Sequence, residues 1–276
     1  MYKCGITGST GILGKNLKKN LKFKFISFNG DITKKKQVDE WIKSNNFKFI
    51  IHLAAIVPTH KVKNNYKLAK KVNFNGTKYL VDAIIKYKKK PDSFFFASTS
   101  HVYKPRKKLI KIRENTKAVP YSLYGRTKLI AEKYIKKNFS EKKINYCIGR
   151  IFSFTDLKQD QFFLVPALFH RINTNKKKII NLENLNHYRD FIAIDDIANA
   201  IKVLCYKNFK GTFNIGSGKS IHLEKIANFF SKNLKKKIYI KKTFIKPTFL
   251  ISNNKKLIKT GWKPKRDFFF ELKKFR

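Results

Sequence analysis

Two residues four positions apart, Tyr124 and Lys128, have the types and spacing needed for proton transfer. On a helix they project from one face, and an ammonium beside a phenol favours the phenolate. We therefore expect a lowered pKa for Tyr124, which suits a general acid or base for a carbonyl/alcohol pair. Thr99 and Ser100 lie just after the C-terminal end of a predicted strand, where a hydroxyl would stabilise a developing oxyanion. Because the chain is rich in Tyr and Lys, such a pair could occur by chance. It indicates a catalytic site only because it follows that strand.

Three glycines near the start form a second motif. Gly8, Gly11 and Gly14 follow the apolar run 2–6 and open a predicted helix. Glycines there permit a tight turn, a close approach of the backbone to a pyrophosphate and close helix–strand packing, while the first helical N–H groups bind phosphate. The spacing is G-x-x-G-x-x-G rather than G-x-G-x-x-G. A glycine-rich turn without a ligand is the alternative, but a turn directly after a strand favours a dinucleotide.

The choice between NAD and NADP depends on the end of the second predicted strand. An acidic residue there would hold the adenosine ribose hydroxyls, but residues 28–30 are Phe-Asn-Gly and the next acid is Asp31. Lys15, Lys34 and Lys35 are near enough in sequence to meet a 2′-phosphate. We expect the cofactor to be NAD or NADP, and these residues slightly favour NADP.

The elements that must position these residues alternate along the first half of the chain. Alternating strands and helices with continuous apolar strands predict a Rossmann-like, doubly wound parallel sheet of the α/β class. We expect a dinucleotide-binding domain over residues 1–160. A smaller C-terminal substrate-binding region would follow over 161–276, with segments that return to the main sheet and a polar final stretch. The predicted strands are 2–7, 23–28, 47–53, 94–97 and 144–152, and the predicted helices are 12–20, 34–44, 67–87 and 122–137.

Composition narrows the class of protein. The 276 residues include 63 Lys and Arg against 17 Asp and Glu, a formal net charge of +46. This charge raises the alternative of a nucleic-acid partner, but the lysines are scattered rather than gathered in one tail, so we attribute most of them to compositional drift and solvated faces. Three cysteines without CxxC spacing predict buried, reduced thiols and no metal site. We expect a cytoplasmic protein without a membrane span.

Together the motifs resemble the extended short-chain dehydrogenase/reductases, the NAD-dependent epimerase/dehydratase family that acts on nucleotide sugars. The resemblance covers nearly the whole chain. Matching segments include residues 7–14 (TGSTGILG), 31–32, 52–55 (HLAA), 72–77 (VNFNGT), 98–103 (STSHVY), 124–128 (YGRTK), 189–197 (RDFIAIDDI), 213–216 (FNIG) and 261–264 (GWKP).

The resemblance implies roles for particular residues. The catalytic group would be Thr99, Tyr124 and Lys128, and the substrate would meet Ser100, His101 and Arg189. The cofactor would contact Gly8, Thr10, Gly11, Ile12, Leu13, Gly14, Asp31, Ile32, Leu53, Ala54, Ala55, Asn73, Tyr124 and Lys128. His101 is either an acid/base or a polar wall residue. Arg189 either binds a diphosphate or forms a surface ion pair with Asp190.

The implied substrate is a nucleoside-diphosphate sugar, and a homodimer is expected by resemblance. Dehydratases of the family carry Asp-Glu after the catalytic threonine, where this chain has Ser100 and His101. This departure argues against dehydration. The short link from the second predicted strand to Asp31 and the modest chain length look most like the 4-keto reductases of deoxysugar pathways, so the resemblance implies a reductase of a 4-keto sugar. The alternatives are a nucleotide-sugar epimerase that recycles its NAD and, less expected, a nucleic-acid-binding protein on a dehydrogenase scaffold.

Overall fold

Six parallel strands form the central sheet of the computed structural model, which describes residues 2–57, 59–242 and 244–275. The ends of the two predicted domains, Met1 and Arg276, lie outside these residues. The order across the sheet is β2-β1-β3-β4-β5-β8, so the chain winds outward in both directions from β1 and β3. The strands are β1 Lys3–Thr7, β2 Lys24–Ser27, β3 Phe49–His52, β4 Ser93–Thr99, β5 Tyr146–Ile151 and, from the C-terminal part of the chain, β8 Gly211–Ile215.

Helices cover both faces of this sheet, as its continuous apolar strands require. One face packs on α1 and α8 around Leu17 and Ile201, and the other on α2, α5 and α6 around Leu80 and Ile135. The predicted Rossmann-like fold class is confirmed. The helices are α1 Ile12–Asn20, α2 Lys35–Lys43, α3 Thr59–Asn64, α4 Tyr66–Lys70, α5 Gly76–Lys86, α6 Leu123–Glu141, α7 Leu164–Asn173, α8 Ile194–Tyr206, α9 Leu223–Asn233, α10 Lys255–Ile258 and α11 Phe268–Leu272.

The segment predicted as a helix over 67–87 is helical, but it is not one continuous α-helix. The structure has α4, then a π-helical turn over Lys71–Asn75, then α5. Apolar spacing near 3.6 residues runs through the whole segment, so periodicity does not reveal one turn that holds an extra residue. π turns of this kind frequently occur at functional sites.

The C-terminal part of the chain builds two small sheets beside the main one. Their strand orders are β10-β6 and β11-β7-β9, and β9 is the antiparallel member. The final stretch, expected to be polar, also contains β10, β11 and two short helices, with Trp262 buried. β10 lies between lysines on both sides in sequence and is ordered by its pairing with β6, which local sequence does not reveal. These strands are β6 Ile179–Leu182, β7 His187–Arg189, β9 Ile221–His222, β10 Lys237–Ile240 and β11 Thr248–Leu250.

Strand register brings the candidate site together. Thr7 pairs with His52 across β1 and β3, and Thr99 pairs with Ile151 across β4 and β5, all at carboxyl ends. Ligands of open parallel sheets bind outside these ends. The three cysteines are free and buried within one core cluster, as expected. Among the described residues, no helix combines the length and apolar character needed to span a membrane.

Candidate active site

The glycine loop between β1 and α1 is packed closely against neighbouring backbone. Gly8 has φ +71°, and a Cβ there would lie 2.6 Å from the backbone nitrogen of Ala54. A Cβ on Gly14 would collide with the carbonyl oxygen of Gly8. The loop therefore fits only without side chains at these two points, where β1, the segment after β3 and α1 converge.

The start of α1 is open toward an anion. Gly11 is the residue before the helix, and among the described residues no side chain caps it. A Cβ on Gly11 would meet only the Gly8 carbonyl oxygen, at 3.4 Å, so its outer side is open. The backbone N–H groups that begin a helix, with the helix dipole, attract phosphate. The predicted cofactor residues Thr10, Ile12 and Leu13 lie in this loop and first turn.

The adenosine end of the predicted cofactor site follows β2. Asp31 is exposed, and its Oδ1 accepts hydrogen bonds from the backbone and hydroxyl of Thr33, both at 2.8 Å. These bonds and Lys34 lower the pKa of the Asp31 carboxyl. Ile32 is buried against Gly76. Lys35, one of the lysines expected near a 2′-phosphate, pairs with Asp39 at 2.6 Å, whereas Lys15 is exposed.

Buried neutral groups connect the glycine loop to α5. The His52 ring has Nδ1 2.6 Å from the Thr7 hydroxyl and Nε2 2.9 Å from the Thr77 hydroxyl. Thr77 donates its hydrogen to the Asn73 carbonyl, so we assign the His52 proton to Nε2 and the Nδ1 lone pair to the Thr7 hydroxyl. Thr7 in turn accepts from the Ala54 N–H at 3.2 Å. Burial and the nearby Lys128 lower the pKa of His52 to about 3, so the ring is neutral.

Asn73 lies in the π turn and extends this chain of contacts to α6. Its Oδ1 accepts from the Ile56 N–H at 2.7 Å, and its Nδ2 donates to the Ile56 carbonyl and to the Thr127 hydroxyl, both at 3.0 Å. Thr127 donates to the carbonyl of Tyr124 at 2.7 Å. Both amide hydrogens of Asn73 thus have protein partners, and the side chain positions the loop after β3 relative to α6. We call the set Thr7, His52, Asn73, Thr77 and Thr127 the neutral network.

The structure brings the three predicted catalytic residues to one place. Thr99 ends β4, and Tyr124 and Lys128 lie on successive turns at the start of α6. All three are buried, and the Lys128 Nζ lies 4.2 Å from the centroid of the Phe96 ring. The Tyr124 ring packs in a cluster with Val62 of α3.

The predicted direction of the Tyr124 pKa is wrong for this structure. Burial raises the pKa of the phenol, and the Thr99 hydroxyl opposes this only in part. Burial also lowers the pKa of Lys128 to about 7, against the attraction of Glu132. Desolvation therefore outweighs the pairing expected from spacing. Near neutral pH the tyrosine is a protonated phenol, and the lysine is divided between ammonium and amine.

Ser100 and His101 follow Thr99 in a short 3₁₀ turn, Ser100–Val102. Ser100 is buried, whereas the His101 Nδ1 lies 3.2 Å from the hydroxyl of Ser122, which caps α6. Burial, assisted by Arg189, lowers the pKa of His101 to about 4. The imidazole is therefore neutral near pH 7 and contributes hydrogen bonding rather than charge.

Arg189 ends β7 and faces the same region. Its Nη1 donates to the carbonyls of Tyr188 at 2.8 Å and Thr248 at 3.0 Å. Burial lowers the pKa of its guanidinium, and Tyr121 opposes the shift. The alternative of a surface ion pair with Asp190 is wrong. The Asp190 carboxylate turns inward and accepts hydrogen bonds from Ser217, Gly218 and Ser252.

A second buried group, which sequence reasoning missed, flanks the other side of α6. Glu132 and Arg150 form an ion pair with Nη2 and Oε2 2.6 Å apart, and the exposed fractions of their side chains are 1% and 4%. The hydroxyl of Ser98 bonds to Glu132, and Arg150 donates to the Tyr103 hydroxyl at 2.8 Å. We call Ser98, Tyr103, Glu132 and Arg150 the ion-pair network. The sequence signal that could have identified Glu132 is its spacing, because Glu132 continues the i, i+4 series of Tyr124 and Lys128.

Two surface elements meet beside this site. The His60 ring of α3 lies 4.0 Å from the Phe162 ring, centroid to centroid, and Lys61 lies 3.5 Å from Asp160. The loop between β5 and α7 therefore rests on the helix that packs against Tyr124.

Comparison with known proteins agrees with this geometry. The family model for GDP-mannose 4,6 dehydratase matches residues 6–270. Over 222 residues the chain is 29% identical to GDP-6-deoxy-D-talose 4-dehydrogenase of Aggregatibacter actinomycetemcomitans, covering 77% of this chain and 74% of the relative. Over 240 residues it is 26% identical to dTDP-4-dehydro-6-deoxyglucose reductase of Escherichia coli, covering 83% and 74%.

A solved structure, that of RMD from Pseudomonas aeruginosa complexed with NADPH, superposes with a TM-score of 0.88. It covers 99% of this chain and 96% of that one at 18% identity, and so supports the fold. The family match spans nearly all of the sequence and includes the glycine loop, the end of β4 and the Tyr-Lys pair. The chain belongs to the NAD-dependent epimerase/dehydratase family of extended short-chain dehydrogenase/reductases, which contains nucleotide-sugar epimerases, reductases and dehydratases.

Proposed function

We propose that this chain is an NAD(P)-dependent oxidoreductase that reduces the 4-keto group of a nucleotide-linked sugar. The observation that carries the proposal is a protonated Tyr124 beside Thr99 and a buried Lys128, at the strand ends that adjoin the glycine loop. The similarity to a reductase of a dTDP-linked 4-keto sugar supports the same reaction.

The residues at these strand ends fit a dinucleotide. The open side of Gly11, and the uncapped start of α1 among the described residues, suit a pyrophosphate. Residues 8–14 would bind the phosphates of the cofactor, and Asp31 and Ile32 would bind its adenosine. Residues 53–55 would contact the part of the cofactor between these groups and the nicotinamide. When bound, the cofactor supplies the hydride. NADPH is the form we propose, since no acid follows β2 directly.

Three side chains would then donate the proton to the sugar carbonyl and stabilise the negative charge that develops. Tyr124, protonated because of its raised pKa, donates its phenolic proton to the carbonyl oxygen. The Thr99 hydroxyl stabilises the negative charge that develops on this oxygen. Lys128 in its ammonium form stabilises the phenolate that Tyr124 becomes, and it would also hold the nicotinamide ribose.

The two positions after Thr99 argue against dehydration. Relatives that remove water carry a carboxylic pair there, whereas this chain has a buried serine and a neutral imidazole. Arg189, with a guanidinium beside His101, would bind the diphosphate of the substrate.

The test is reduction of dTDP-4-dehydro-6-deoxyglucose and its GDP-linked counterpart, followed by loss of NADPH absorbance. Tyr124→Phe should lower kcat by about 100- to 10,000-fold, because it removes the proton donor and little else. Cofactor affinity, measured by fluorescence titration, should change little. A Tyr124→Phe enzyme as fast as wild type would refute the proposed mechanism.

The same assay separates the epimerase alternative, which uses the same three side chains. A reductase consumes one NADPH per sugar, whereas an epimerase converts a nucleotide sugar without net loss of NADPH. Stereochemical conversion at constant NADPH would replace the reductase proposal by the epimerase.

A further inference from the structure

Tyr121 is an aromatic residue beside the catalytic group to which the proposed mechanism gives no role. It lies just before α6, next to the capping Ser122. Its ring lies 4.9 Å from the His101 ring, centroid to centroid, at an interplanar angle of 31°. The His101 ring lies 5.8 Å from the Tyr124 ring and nearly perpendicular to it. The three rings thus form a continuous wall that starts at the proton donor.

One end of this wall is open to solvent and the other is buried. Tyr121 has 47% of its surface accessible, whereas Tyr124 and Thr99 are buried. A ligand that contacts Tyr121 from solvent therefore lies along a wall that ends at the proton donor.

Arg189 marks the far end of the wall. The guanidinium influences the pKa of both Tyr121 and His101, so it lies near both rings. Among the described residues its hydrogen bonds are made through Nη1, to Tyr188 and Thr248. The N–H groups on Nε and Nη2 remain for an anion.

We propose that Tyr121 is a specificity-determining residue that binds the sugar ring between Tyr124 and the diphosphate held by Arg189. The inference rests on the proposed function and names its substrate class, a nucleotide-linked 6-deoxy sugar. The C–H face of a pyranose and a C6 methyl group gain from contact with an aromatic face. A C6 hydroxyl pressed against the same face would lose its hydrogen bonds to water.

The first experiment measures binding, so that it does not depend on turnover. Calorimetry with NADP⁺ present would compare dTDP-6-deoxyglucose with dTDP-glucose, and likewise a GDP-linked pair. Wild type should prefer the 6-deoxy member, and Tyr121→Leu should weaken its binding by about 2- to 10-fold and erase the preference. Tyr121→Phe keeps the ring and should behave as wild type. Tyr239→Leu, at another exposed tyrosine, on β10, is the matched control.

The second experiment measures kinetics with dTDP-4-dehydro-6-deoxyglucose and NADPH. Tyr121→Leu should raise KM by about 2- to 10-fold while kcat changes less. An unchanged affinity for NADPH shows that the variant is folded.

The outcomes separate the two proposals. If Tyr121→Leu keeps wild-type affinity and the same sugar preference, the role of Tyr121 is refuted and the reductase assignment is untouched. If wild type binds the sugars in a Tyr121-dependent way but reduces none, the reductase assignment fails and the binding role stands. If wild type binds neither member of either pair, the inference is refuted.

Discussion

The helix α6, which carries the proposed catalytic residues Tyr124 and Lys128, is held by two buried polar groups of different character. On one side the neutral network reaches it through Thr127, and on the other the ion-pair network reaches it through Glu132. The first consists of hydroxyls, an amide and an uncharged imidazole, whereas the second contains full charges. Lys128, which we propose stabilises the Tyr124 phenolate, lies between the two points of attachment.

The difference shows how charge is distributed around a buried lysine. A protonated His52 would add a second positive charge near Lys128, and burial keeps that ring neutral. The negative charge of Glu132 is shared with Arg150, so it raises the pKa of Lys128 only in part. The neutral network therefore positions α6 without adding charge. The ion-pair network supplies the charges that act on Lys128.

Breaking the ion-pair network should have the largest effect on stability. Arg150→Met leaves the Glu132 carboxylate buried without its partner, which should lower the free energy of unfolding by about 3–5 kcal/mol. Urea unfolding at pH 7 measures this loss. The double variant Arg150→Met/Glu132→Leu should recover most of it, because no buried charge is left unpaired. Equal losses in the single and double variants would contradict the pairing.

The contribution of the neutral network to the free energy of unfolding should depend on pH. His52 binds a proton in the unfolded chain below its ordinary pKa of 6.5, but in the folded chain only near pH 3. Its stabilising contribution is complete above pH 6.5 and decreases by about 1.4 kcal/mol per pH unit below it. His52→Gln has no titrating ring and should lose about 2 kcal/mol less than wild type between pH 6.5 and pH 5. Equal losses in urea titrations would show that His52 titrates normally when folded.

The smallest effect should come from the hydroxyl that joins the neutral network to α6. Thr127→Val removes the acceptor for Asn73 and leaves a buried N–H without a partner. Thr260→Val is a matched control, because Thr260 is also buried and donates to a carbonyl three residues earlier, also at 2.7 Å. Thr127→Val should destabilise the fold by about 1 kcal/mol more than the control. Thermal and urea unfolding provide the comparison, and equal losses would remove Asn73 from the network.

Sequence predicted the parts of the site that lie at strand ends and on one helix face. The positions of Gly8, Thr99, Tyr124 and Lys128 follow from alternation and i, i+4 spacing, and the structure agrees with them. The pKa of Tyr124 did not follow, because it depends on burial by α3, which is packed there by tertiary contacts.

The hydrogen-bond partners of Arg189 and Asp190 could not be predicted from local sequence either. Arg189 and Asp190 are neighbours in sequence, but β7 directs their side chains to different surroundings. Asp190 bonds to Ser252, 62 positions away, and Arg189 to Thr248, 59 positions away. Only the pairing of β7 with β11 brings these residues together.

The π turn over Lys71–Asn75 restricts how this part of the chain can change in length. Loss of one residue would turn the segment into ordinary α-helix and rotate everything before it by about 100° relative to α5. The amide of Asn73 would then miss Ile56, and α3 would leave the Tyr124 ring. We therefore expect insertions and deletions, which surface loops accept readily, to disrupt the segment between α4 and α5, so the residue count there matters to the proposed catalytic site as much as its side chains do.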